Sequence, residues 1–214
     1  MPLTNPLARR SAHRPPPYID TPAGILSAGG VHFHTTEAML ETYAGPLLER
    51  EPLATFVRRA ETWLEAPRAL AIVSTPLWLF AFGWPWALLC ILATYVGGAL
   101  ALPSAASRWG AAVVRWLANP GVQAVWLLAS LWGLSAMGRT AAVWAGLAAF
   151  VVLRVGLAER LLGPLLARGQ ARLYALPVAD QVLRAFLVRG ALRHGVPLPG
   201  LAEIEASARR AWRR

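Results

Sequence analysis

Residues 69–107 read ALAIVSTPLWLFAFGWPWALLCILATYVGGALALPSAAS, and no side chain between Arg68 and Arg108 carries a charge. An apolar run of about 18 residues or more marks a membrane span, because roughly twenty helical residues cross the hydrocarbon core. As a single helix this run would be about 50 Å long, against a core of about 30 Å. Its middle, Phe82-Gly83-Trp84-Pro85-Trp86, holds the residue types that punctuate helices. It also holds a pair of tryptophans, which favour the lipid–water interface. The run therefore reads as a hairpin, with spans over about 68–83 and 86–102.

Two further apolar blocks, 116–138 and 140–158, lead to spans over about 120–138 and 140–162. With four crossings, Arg58, Arg59, Arg68, Arg108, Arg115, Arg160, Arg168 and Arg172 gather at one side and only Arg139 at the other. The positive-inside bias then puts both termini in the cytoplasm. The fold class expected is an all-α integral membrane protein of four transmembrane helices, with cytosolic or interfacial amphipathic helices at both ends. Between the hairpins, Ser104 is expected to cap a short interfacial helix. Arg108 and Arg115 would share one of its faces, and Trp109, Ala112, Val113 and Trp116 lie largely on another. Asn119-Pro120 offers a cap and first-turn proline for the third span, and Gly163-Pro164 closes the fourth.

Composition agrees with this frame. Of 214 residues, 56% are hydrophobic and only 15% charged, too apolar for an ordinary soluble domain. The net charge of +10 comes from arginine alone, since there is no lysine. That pattern fits a GC-rich, bacterial coding sequence, and it also fits adhesion to anionic lipid at the inner membrane. A lone cysteine, Cys90, allows neither a disulfide framework nor a Cys-rich metal site.

Outside the spans, residues 1–35 read as a flexible arm with no apolar core of signal-peptide length. Residues 36–67 read as a helical approach to the bundle, broken at Gly45-Pro46. Residues 163–214 read as a basic amphipathic tail lying on the membrane; from Arg160 onward ten arginines face three acids. Arg58, Arg59, Arg108, Arg115, Arg184, Arg189 and Arg193 are the candidate contacts to anionic lipid or to a partner. Small residues at four-residue spacing mark faces suited to close helix packing within the chain or in assembly: Ala93, Gly97 and Ala101, then Ala129 and Gly133, then Ala142 and Gly146. Arg154, inside the fourth expected span, is the one intramembrane cation and joins that set.

Reactive chemistry is sparse. His32 and His34 alternate along an extended segment and form a weak metal candidate, with Glu37 and Glu41 near in sequence but no cysteine to complete a site. No histidine falls in any expected span, so a haem held by bundle histidines is excluded. No Asp or Glu falls at mid-membrane, which argues against a carboxylate-coupled carrier. No serine has a neighbouring base, no glycine loop has phosphate-binding spacing, and no stacking aromatics support nucleic-acid binding. No cofactor is expected. The paired hairpins with a trailing amphipathic helix resemble, in arrangement alone over about 69–193, eukaryotic membrane-curving proteins such as reticulons. The resemblance implies membrane shaping. The reading that results is a non-catalytic accessory or scaffold subunit of a bacterial inner-membrane complex, possible also as a homo-oligomer. The alternatives are a membrane-shaping or lipid-binding hairpin protein and a small transporter or channel.

Overall fold

The computed structural model describes residues 18–174 and 176–212. The hairpin expected from residues 69–107 forms as α3 (Ala66–Ala81) and α4 (Trp84–Ala105), joined by a turn at Phe82-Gly83. Pro85 opens α4, where its missing N–H costs nothing. Pro103-Ser104 does not end that helix, which runs on to Ala105. A proline at 103 cannot donate to the Ala99 carbonyl, and Gln170 Nε2 donates to that oxygen instead at 3.1 Å.

The second hairpin is α6 (Pro120–Ala136) and α7 (Thr140–Arg154). In the intervening turn Arg139 donates from one guanidinium nitrogen to the carbonyls of Leu79 (3.3 Å) and Phe80 (3.0 Å). It thereby supplies donors to the unpaired C-terminal carbonyls of α3 and fixes both hairpin turns at one end. The fourth expected span, 140–162, is corrected: α7 stops at Arg154. Gly156 adopts a left-handed φ of +75°, and α8 (Leu157–Leu173) leaves at 64° to α7. Gly163-Pro164 lies inside α8 and is not a terminus.

Two apolar clusters fill this bundle. One joins Ala71 and Ile72 to Ile91, Tyr95, Ala149 and Leu153; the other joins Leu79 and Ala87 to Leu127, Leu131, Leu134 and Ala142. Tryptophan N–H groups tie helix to helix, from Trp126 to the Val73 carbonyl at 2.9 Å and from Trp78 to Thr94 Oγ1 at 3.2 Å. Ser74, Thr75, Thr94 and Ser130 donate to carbonyls of their own helices, which satisfies their hydroxyl donors. The outer surface of the bundle is also apolar, with Leu77, Leu89, Val125, Leu128, Trp132 and Val151 among its exposed side chains. Among the described residues one helix, over Trp84–Leu102, is long and apolar enough by itself to cross a membrane, and the bent pair α7–α8 passes the same test together.

A headpiece closes the other end. Residues 18–33, expected within a flexible arm, instead form an antiparallel sheet β1 (Tyr18–Thr21), β2 (Gly24–Ser27), β3 (His32–Phe33); residues 1–17 of that arm lie outside the described residues. Gly24, at φ +132°, is required there, since a Cβ would overlap the Phe33 carbonyl. Helices α1 (Glu37–Leu48) and α2 (Leu53–Leu64) follow, α1 carrying Gly45-Pro46 in its last turn without a break. Short α5 (Arg108–Leu117) joins the hairpins, and α9 (Val178–His194) and α10 (Leu201–Trp212) complete the part. One core unites Ile25, Phe33, Leu40, Leu47, Phe56, Val57, Val114, Phe186 and Leu187. The basic tail expected to lie on a membrane therefore has its α9 inside this core. Its apolar face, Val182, Phe186 and Leu187, meets α2, which presents a matching stripe at helical spacing.

Candidate functional site

α5 sits where headpiece and bundle meet. Its cap is Ser107, not the expected Ser104: the Ser107 hydroxyl accepts from the Gly110 N–H at 3.0 Å. Ala111 and Val114 are buried in the headpiece core, where Gly110 leaves room for the ring of Trp63. Trp63 in turn donates to the Leu102 carbonyl at 2.7 Å, locking α2 to the end of α4. On the opposite side Trp109 and Trp116 are 83% and 62% exposed, with Val113 between them. Arg108 and Arg115, seven residues apart, occupy a third face.

That third face meets α2 across a cleft of about 360 Å³ lined by Arg58, Arg59, Arg108 and Arg115 with Ala54, Thr55, Ala111 and Ala112. A second cleft of about 360 Å³ continues from it, sharing Arg59 and Arg108 and adding Arg189 and Arg193 from α9. Six of the seven arginines selected from the sequence thus line one groove. The seventh, Arg184, lies apart, its Nε 2.5 Å from Glu205 Oε1. One carboxylate serves the groove: Glu51 accepts from Arg59 at 2.7 Å and also pairs with Arg193. Arg58, Arg108, Arg115 and Arg189 form no ion pair among the described residues. Guanidinium forks in excess over counter-charge make a receptor for oxyanions, above all phosphate, which they bind in two-point fashion.

Burial would raise the Glu51 carboxyl, but hydrogen bonding and charge from Arg59, with Arg193 adding, overcome it and hold the group below its ordinary value of 4.5. A depressed carboxylate contributes stability that is complete above the unfolded value and is lost as pH falls through the folded one. The thermal midpoint of the headpiece is therefore expected to drop on acidification below about pH 4.5. In Glu51→Gln the midpoint should be lower at neutral pH and the acid-side slope shallower. An unchanged slope in a pH series of melting curves would refute the clamp.

The histidine pair takes another role. The rings of His32 and His34 stand 4.7 Å apart, but His34 Nδ1 is 2.9 Å from Asp180 Oδ2. The other Asp180 oxygen accepts from the His34 backbone N–H at 2.9 Å and from the Thr35 hydroxyl at 3.1 Å. Asp180 is only 4% exposed, and burial pushes its carboxyl up against those hydrogen bonds. The cluster fastens the sheet to the first turn of α9. Glu37, which might have completed a metal set, accepts from the Tyr18 hydroxyl. Among the described residues no group of three or more His, Cys, Asp or Glu side chains could hold a metal ion.

The small-residue faces divide. Ala142 and Gly146 are buried within the bundle, and Gly133 rests against the Phe80 ring. Ala93, Gly97 and Ala101 lie on the exposed side of α4, and Ala129 is exposed on α6. Arg154 ends α7, exposed and without an ion pair among the described residues, where its charge complements the helix dipole. Its sequence neighbour Glu159 lies 3.5 Å from Arg68 instead. Glu51 and Asp180, the two acids that organise the headpiece, gave no sequence signal, since their partners lie up to 146 residues away. No protein-family model matches the chain, and no curated protein or solved structure matches it at a significant level.

Proposed function

We propose that this chain is a non-catalytic, lipid-binding scaffold of the bacterial cytoplasmic membrane. In this reading α3, α4, α6 and α7 cross the bilayer as two hairpins, with headpiece and both termini on the cytoplasmic side. The observation that carries it is on α5, where Arg108 and Arg115, without an ion pair among the described residues, lie one face away from exposed Trp109 and Trp116. A helix with tryptophans on one face and arginines on the next lies naturally at the interface, rings among upper acyl chains and cations among head groups. The apolar exterior of the bundle and the exposed Trp84, Trp86, Trp132 and Trp144 toward its turn end support a second interfacial belt. α7, at 15 residues, spans about 22 Å, so the bilayer would thin locally at modest cost.

Topology is the first test. On a Cys90→Ser background, Phe82→Cys and Met137→Cys, both exposed at the turns, should react with an impermeant maleimide applied to spheroplasts. Leu192→Cys should react only after permeabilisation. Protection of both turn cysteines in intact spheroplasts would overturn the four crossings.

A second reading, a subunit of a larger inner-membrane assembly, draws on the exposed row of Ala93 and Gly97 on α4. Nothing lies within 4 Å of a Cβ placed on Gly97, and lipid-embedded helices associate through such close-approach faces.

A further inference from the structure

Along α5 from the arginine cleft the next turn carries Trp116, and there a groove of about 550 Å³ opens between α3, α5 and α6. Its walls are Val73, Trp116, Leu117, Val122, Val125 and Trp126, all apolar. Ala112 lines the basic cleft and Trp116 the apolar one; at four-residue spacing they are stacked on one side of α5. A cationic cleft and an apolar groove thus sit on neighbouring turns of α5, with no lining residue in common.

We propose that the two together form a discrete site for one anionic phospholipid. The phosphate sits between Arg58, Arg108 and Arg115, and one acyl chain runs down the groove past Trp126. This deepens the scaffold reading and rests on it. Charge selects the ligand: among the described residues these three arginines have no ion-pair partner, and a phosphate brings oxygens able to take two-point hydrogen bonds. The groove selects an amphiphile over a free anion. It lies on the bundle side of α5, and its Val125 and Trp126 are exposed, so a chain can enter sideways from the bilayer. A phosphate ester without a chain would leave some 550 Å³ of apolar wall unfilled.

The experiment is native mass spectrometry of the full chain released from nanodiscs of phosphatidylethanolamine with a minor fraction of phosphatidylglycerol. Wild type is expected to retain one phosphatidylglycerol out of proportion to its abundance. Arg108→Gln/Arg115→Gln should lower that retention by about tenfold or more, as the loss of charge-assisted hydrogen bonds implies. Val125→Trp, which fills the groove from an exposed position, should lower it with every arginine intact. Arg184→Gln, outside the groove, should not. Retention in proportion to abundance, or retention in the arginine and groove variants equal to that of wild type, would overturn the site. Displacement of the lipid by millimolar inorganic phosphate or glycerophosphoglycerol alone would overturn the amphiphile and leave an anion site. The maleimide labelling reports the crossings separately, so a failed lipid site and a failed membrane topology give different results.

Discussion

Phe56→Ala is expected to destabilise the headpiece by about 3–5 kcal/mol and to leave the bundle folded. Phe56 is fully buried on α2, and its ring fills the space that Gly190 of α9 leaves, a Cβ there lying only 2.8 Å from Phe56 Cε1. Removing the ring opens a cavity between two helices that approach too closely to collapse inward. Limited proteolysis in mild detergent over a temperature series reads the effect: the variant should be cut within residues 178–212 well below the temperature at which wild type is cut. Phe56→Leu, which keeps most of the volume, should fall between. The result separates two structures for the C-terminal third. A tail resting on lipid as an amphipathic helix would ignore a substitution on α2, and unchanged cleavage of Phe56→Ala would favour that arrangement.

The difference between those structures shows what a sequence of this kind displays and what it conceals. The hairpin at Phe82-Gly83 was legible because hydrophobic length and helix-breaking chemistry are local properties, and the α6 start at Asn119-Pro120 was legible for the same reason. The periodicity of residues 178–193 puts Val178, Val182, Phe186 and Leu187 on one helical face, but a stripe beside arginines looks the same whether it lies on lipid or on another helix. Only the matching stripe of α2, more than a hundred residues earlier, decides. The arginines follow the same logic. Their residue type marks a basic surface, and six of the seven line one groove, yet nothing local foretells that α2, α5 and α9 set them around a common cleft. The helix break after Arg154 was missed because Gly156 stands in a run whose composition alone continues past it. The sheet at 18–33 was missed because its strands are only two to four residues long.

Gly146→Leu and Gly97→Leu, equivalent as sequence, are expected to behave oppositely. A Cβ on Gly146 would lie 2.9 Å from both Leu131 Cδ2 and Leu79 Cδ1, at the meeting point of α3, α6 and α7. Methyl groups can shift to admit alanine, but a leucine forces the helices apart, and overpacking of a closed core costs about 1–3 kcal/mol. Gly97 meets nothing within 4 Å, so a leucine there adds helix propensity of up to about 1 kcal/mol and strains no contact within the chain. Thermal unfolding of the purified protein in detergent should therefore show a clearly lowered midpoint for Gly146→Leu and an unchanged or slightly raised one for Gly97→Leu. An equal loss in both would mean that α4 turns its Gly97 face into the bundle. Because Gly97→Leu leaves the chain itself intact, it is also the clean probe of the subunit reading. A Gly97→Leu protein that folds normally but no longer co-purifies with other membrane proteins would place the assembly contact on α4; one recovered with the same companions as wild type would leave the bundle facing lipid there, and the arginine groove as the surface through which this chain acts.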